Sequence, residues 1–186
     1  GFDVFETEPA TESPLFGLEN VVCTPHLGAS TTEAQENVAL QVADQMSDYL
    51  LKGAVSNAIN MPSISADEAP RLKPVIKLAE VLGGFAGQVT ESPIKQVEVL
   101  YDGIFADMNT TALTSAMLAG LLRPVVADVN MVSAPAVLAD SGVKLTETKT
   151  EDSPVYDSLV RVKVKTKATK NAPEGGWRTL AGTLIA

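Results

Sequence analysis

From Leu159 to Lys167 the chain alternates without a break, with Val160, Val162 and Val164 on one parity and Arg161, Lys163, Lys165 and Lys167 on the other. A period of two sends alternate side chains to opposite faces of a strand. Such a strand needs a sheet with one face on an apolar core and the other toward water. Lys95–Tyr101 repeats the pattern with Val97, Val99 and Tyr101 inward. Val143–Thr148 is more polar and suits an edge, and Trp177–Ile185 reads as a further strand after a hairpin-turn signal, Glu174-Gly175-Gly176. Apolar helical stripes supply the cover. Leu72, Val75, Ile76, Ala79, Leu82 and Phe85 recur at helical spacing over 68–86, and periodicity ends this helix at Gly83, Gly84 and Gly87. Asn109–Leu122 is helical and stopped by Pro124, and Ser133 caps a short helix with Pro135 in its first turn and Gly142 at its end. The order of these elements predicts, for residues 63–186, an α+β domain with a mainly antiparallel sheet and helices on one face.

Residues 1–62 follow another pattern. Gly1–Phe5 reads as the end of a buried strand, and Asn20–Thr24, with Val21-Val22-Cys23, as a short buried parallel strand. A turn-rich stretch, Glu8 to Pro14, lies between them. Pro25–Ala29 is a tight loop, and Ser30-Thr31-Thr32-Glu33 has the form of a capping box, a hydroxyl followed three residues later by Glu. The helix it opens, about 31–52, carries Ala34, Val38, Val42 and Met46 on one stripe, a face suited to a core or to a dimer, and Gly53 ends it. Ala54–Ser65 is a connector. The chain opens on Gly1 inside a strand and stops at Ala186 without a cap, so both ends read as cut from a longer polypeptide.

Charge and composition narrow the function classes. Residues 1–140 hold 6 basic and 18 acidic side chains (net −12), and residues 141–186 hold 8 basic and 5 acidic (net +3). A net-negative chain whose basic strand lacks interleaved aromatics is a poor binder of nucleic acid or of an anionic membrane. No apolar run spans a bilayer and no secretory leader is visible. A single cysteine, Cys23, excludes an internal disulfide and a Cys-rich zinc site and fits the cytoplasm, while a single histidine argues against a His-based metal site. Cys23 reads as a small buried hydrophobe, and Tyr101 and Trp177 as core or interface aromatics.

The lone histidine, His26, lies just past an apolar strand and just before a capped helix, where open α/β sheets place their ligands. Glu8 also follows a strand, so two parallel strands would deliver both side chains to one edge. A carboxylate beside an imidazole favours the imidazolium and orients the ring, which makes an acid/base pair. Arg161, Lys163 and Lys165 form a basic row that reads as a solvated strand face or as part of an anion-attracting surface.

Three stretches carry a resemblance: Gly1-Phe2-Asp3-Val4-Phe5-Glu6-Thr7-Glu8-Pro9, Asn20-Val21-Val22-Cys23-Thr24-Pro25-His26-Leu27-Gly28-Ala29-Ser30-Thr31, and Glu33-Ala34-Gln35. Together they resemble the last catalytic signature of the D-2-hydroxyacid dehydrogenases. Asn57-Ala58-Ile59-Asn60-Met61-Pro62 resembles the return to that family's substrate domain. Residues 1–62 are thereby implied to be an α/β remnant of a dinucleotide-binding and substrate domain. Residues 63–186 resemble the intervening domain of the family's long form, itself similar to a domain of bacterial L-serine dehydratases. The resemblance implies oxidation of 3-phosphoglycerate to 3-phosphohydroxypyruvate with NAD at the start of serine biosynthesis, in a homo-oligomer. It implies His26 as acid/base and Glu8 as its partner, with Asp3, His26, Gly28 and Ala29 beside the nicotinamide end of NAD. Departures are equally plain. The dinucleotide motif Gly-x-Gly-x-x-Gly is absent, and no arginine sits in the family's substrate-binding motif. The isolated chain is therefore expected to bind NAD poorly and to turn nothing over. The alternative is a non-catalytic regulatory, anion-binding and oligomerisation module.

Overall fold

The computed structural model describes residues 1–151, 156–168 and 175–185. The expected turn at Glu174-Gly175-Gly176 begins outside the described residues. Contacts divide the chain into two compact units, Gly1–Asp48 and Tyr49–Ala186. No described helix is long and apolar enough to cross a membrane.

In the first unit, Phe2 and Cys23 form a parallel bridge, with the Phe2 N–H donating to Val22 O at 2.8 Å and the Thr24 N–H to Phe2 O at 2.9 Å. The two segments do run parallel, but they are not buried: Phe2 is 48% and Val22 70% exposed, because among the described residues no further strand or helix covers them. Helix α1, Thr32–Lys52, starts one residue later than its periodicity suggests and crosses the boundary between the units. Its cap is Thr31, whose Oγ1 accepts from the Ala34 N–H at 3.1 Å, so the expected box of Ser30 with Glu33 does not form. None of its residues is buried.

The second unit builds the sheet. An antiparallel bridge between Val55 and Ile64 folds the connector onto this unit, where Ala54, Val55 and Ile64 are buried. Ser65 and Glu68 bond reciprocally, side chain to backbone in both directions, just before helix α2, Ala69–Gln88. The strands are β1 (Ile94–Gly103), β2 (Lys144–Thr150), β3 (Ser158–Thr166) and β4 (Trp177–Gly182), in the order β2-β1-β3-β4. Pairings β1–β3 and β3–β4 are antiparallel and β1–β2 is parallel, reached by a crossover through α3 (Thr110–Leu122) and α4 (Ala134–Asp140). The expected α+β architecture with a mainly antiparallel sheet is therefore present, and β2 lies at an edge as its polarity requires.

Core placement follows the alternation. Val97, Val99, Tyr101, Val160, Val162 and Val164 are buried, while Arg161, Lys163 and Lys165 are half-buried on the other face. Helix α3 is apolar on all sides and buried almost throughout, as a central helix must be. Asn109 caps it, accepting from the Ala112 N–H, and the buried Tyr101 hydroxyl meets Thr114 Oγ1 at 2.7 Å, tying α3 to β1. Burial holds the Tyr101 hydroxyl far above the usual phenol range, so it stays protonated.

Gly83, Gly84 and Gly87 do not end α2. The helix runs on to Gln88, and two of these glycines lie where α3 crosses: a Cβ at Gly83 would stand 1.9 Å from Met117 O, and one at Gly87 2.3 Å from Leu121 O. Trp177 is 45% exposed, at the start of β4 on the sheet's edge, and so is not a core residue of this chain.

Candidate active site

The parallel bridge at Phe2 and Cys23 sets everything that follows. Residues just beyond the paired positions leave the two segments side by side, so Asp3 comes next to Thr24 and the loop after it. One Asp3 oxygen accepts from the Thr24 hydroxyl at 2.6 Å and from the Leu27 N–H at 2.6 Å. The other accepts from the Gly28 N–H at 2.7 Å. These bonds, the Thr24 hydroxyl foremost, hold the Asp3 carboxyl below the usual range. Gly28 leaves room for the approach, since a Cβ there would lie 3.0 Å from Asp3 Oδ2 and make the side chain give by a few tenths of an ångström.

Glu8 is turned back over its own strand end. Its Oε1 accepts from the Phe5 N–H at 2.9 Å, and its Oε2 lies 2.6 Å from His26 Nδ1. His26 itself has φ +58°, a left-handed conformation that a non-glycine residue adopts only when its surroundings hold it there. The hydrogen bond to Glu8, reinforced by its charge, raises the imidazole pKa, and the His26 bond in turn lowers that of Glu8. With Nδ1 engaged, Nε2 has no hydrogen bond among the described residues and is the nitrogen left to exchange a proton with a ligand.

The pair borders a pocket of 480 Å³ lined by Phe5, Glu8, Pro9, Ala10, Phe16, Cys23, Thr24, Pro25 and His26. Phe5 and Phe16 meet edge to face, with ring centroids 5.6 Å apart, and form its apolar wall. Cys23 is partly exposed here. Thus His26, Glu8, Asp3 and Gly28 come together in one loop cluster, with Ala29 exposed on the same loop. Motif reading alone does not single out Thr24, Phe5 or Phe16. The available signal for Thr24 is its place one residue past the bridge, opposite Asp3.

The basic row lies on the second unit's sheet, faced by acids of β1. Arg161 Nη2 is 3.6 Å from Asp102 Oδ2, and Lys163 Nζ is 3.8 Å from Glu98 Oε2. Lys165 Nζ sits 5.4 Å from the Trp177 ring centroid. Each cation already has a partner, so an anion arriving here competes with Asp102 and Glu98 for the first two.

A family model described as the D-3-phosphoglycerate dehydrogenase intervening domain matches residues 71–186. The chain is similar to proteins named D-3-phosphoglycerate dehydrogenase in Bacillus subtilis (37% identical over 163 residues), Methanocaldococcus jannaschii (36% over 169) and Synechocystis (39% over 186). These matches cover 87%, 90% and 99% of this chain and 31%, 32% and 32% of the relatives. The chain therefore spans about a third of the length of the curated relatives it matches.

Proposed function

Since the chain belongs to the D-3-phosphoglycerate dehydrogenases, whose intervening domain its residues 71–186 match, we propose that residues 1–48 supply the acid/base end of such an enzyme's active site. The reaction is oxidation of 3-phosphoglycerate to 3-phosphohydroxypyruvate. His26 Nε2 takes the C2 hydroxyl proton as C2 gives up its hydride, and returns it when the carbonyl is reduced. Glu8 fixes the ring through Nδ1 and stabilises the imidazolium formed in the oxidation. The observation that carries this reading is the 2.6 Å contact between His26 Nδ1 and Glu8 Oε2 at the mouth of a pocket. Similarity to the Synechocystis enzyme over 99% of the chain supports extending the family reading to this first unit.

NAD, when bound, supplies the hydride acceptor. The residues that would face its nicotinamide end are Gly28 and Ala29 beside His26, both exposed. Asp3 holds the loop that carries them, accepting from the Thr24 hydroxyl and from the Leu27 and Gly28 N–H groups, and its Oδ2, with one bond, keeps acceptor capacity. No strand-to-helix Gly-x-Gly-x-x-Gly turn is available for the pyrophosphate, and Gly83-Gly84-Phe85-Ala86-Gly87 lies inside α2. The 186 residues alone are accordingly inactive, and activity belongs to a longer dehydrogenase polypeptide that contains them. In that polypeptide His26→Ala lowers kcat by roughly 10²- to 10⁴-fold without unfolding it. A kcat that barely changes, or turnover of 3-phosphoglycerate with NAD by the 186-residue chain at the rate of the longer enzyme, would overturn the reading.

A further inference from the structure

Residues on both sides of His26 are tied to one carboxylate. Before the histidine, the Thr24 hydroxyl donates to Asp3 Oδ1 at 2.6 Å. After it, the Leu27 N–H donates to the same oxygen at 2.6 Å and the Gly28 N–H to Oδ2 at 2.7 Å. Between these ties His26 stands at φ +58° and places Nδ1 against Glu8.

Thr24 and the two amides differ in what anchors them. The Thr24 N–H donates to Phe2 O at 2.9 Å, so the residue next to the bridge is hydrogen-bonded to the strand pair, and its β-branched side chain has little rotational freedom. Leu27 and Gly28 lie in the loop. The two amides alone satisfy Asp3, but a carboxylate held only by loop amides moves with the loop. The hydroxyl fixes it to the strand pair instead.

Resting on the acid/base reading above, the geometry points to Thr24 as the positioning residue of His26: through Asp3 its hydroxyl transmits the register of the strand pair to the loop that presents the imidazole. Asp3 and Glu8 are the charged groups that face His26, and neither is altered when Thr24 is replaced. A change in His26 on such replacement therefore reports geometry, not lost charge.

The 186-residue chain contains one histidine, so nuclear magnetic resonance reads His26 without assignment ambiguity. Thr24→Val keeps the side chain's shape and removes the donor. It is expected to speed hydrogen exchange at the Leu27 and Gly28 amides roughly tenfold, the scale of one hydrogen bond to a carboxylate. It is also expected to lower the His26 titration midpoint toward the ordinary imidazole value, and Thr24→Ser restores both. In the longer dehydrogenase the same replacement moves the acid limb of the oxidation profile to lower pH. Exchange and titration that stay at the parent's values in Thr24→Val, or a loss that Thr24→Ser does not repair, would overturn the assignment. Should Thr24→Val not fold, the parent decides: Leu27 and Gly28 amides that exchange as fast as free loop amides exclude the clamp. Glu8→Gln separates this inference from the one beneath it. A His26 midpoint unmoved by that change removes the acid/base pair, while amide protection still judges Thr24.

Discussion

Glu8→Gln keeps the shape of the carboxylate beside His26 and removes its charge. The acceptor oxygen survives, but the bond to the imidazolium is no longer charge-assisted and the Coulomb attraction is gone. The His26 midpoint, raised first by that hydrogen bond and then by the charge, is expected to fall toward the ordinary imidazole value. On the proposed acid/base role, oxidation in the longer enzyme requires the neutral ring, so its rate is expected to climb as pH rises through the His26 midpoint, and Glu8→Gln to move that climb to lower pH. A profile that stays in place would show that Glu8 does not set the acid/base group. Linkage runs in two directions at this cluster. Asp3 and Glu8 have lowered values, so they steady the loop above the ordinary carboxylate range, and that contribution is lost as pH falls through their lowered values. His26 has a raised value, so its contribution is complete below the ordinary imidazole range and is lost as pH rises through its raised value. The loop is tightest between those ranges, which slower exchange at Leu27 and Gly28 there would record. The pairing of His26 with Glu8 was legible in the residues because each follows a strand end. The Thr24–Asp3 bond was not, because it depends on the register that sets Phe2 against Cys23.

The crossing of α2 and α3 separates two glycines that are neighbours in sequence. A Cβ added at Gly83 would lie 1.9 Å from Met117 O, a backbone atom that cannot turn away, whereas one at Gly84 would find its nearest neighbour, Gly120 O, at 3.9 Å. Gly83→Ala must push the helices apart and is expected to cost roughly 2–3 kcal/mol. Gly84→Ala meets ordinary van der Waals contact and gains the better helix former, a change of up to about 1 kcal/mol in the stabilising direction. Urea unfolding of the two variants followed by circular dichroism checks the contrast, and equal effects would contradict this helix crossing. Sequence periodicity could not reveal it. Glycine in a helical stripe reads as a stop by propensity, and only the facing carbonyls of Met117 and Leu121 make its missing Cβ a packing requirement. The strands were easier to recognise, since the parity of Val160, Val162 and Val164 follows from pleating whatever lies opposite. Parallel pairing of β2 with β1 was hidden for the opposite reason: it depends on how α3 and α4 carry the chain across.

At the scale of the whole molecule the two units differ in what holds them. Every residue of the apolar core cluster lies between Val55 and Val164, and no residue among 1–48 is buried. The first unit instead relies on the bridge at Phe2 and Cys23, the Asp3 clamp, the Glu8–His26 pair and the Phe5–Phe16 contact, all near water. Exposed hydrogen bonds and ion pairs contribute little against the entropy of ordering the chain. Helix α1 has the same weakness, because Val38, Val42 and Met46, its sequence-predicted apolar stripe, are 48%, 47% and 58% exposed, and a helix in water draws most of its stability from packing such a face. Local opening therefore separates the halves. In the 186-residue chain, amides of residues 1–48 are expected to exchange at least about a hundredfold faster than those of β1, β3 and α3, a gap of roughly 3 kcal/mol in opening free energy. Joining the chain to the rest of the dehydrogenase polypeptide is expected to slow exchange along α1 and the His26 loop while leaving β1, β3 and α3 almost unchanged, because those elements already bury their apolar faces. Exchange measured by mass spectrometry on both polypeptides settles the matter. Protection of α1 equal to that of α3 in the shorter chain would show that the stripe already has a partner.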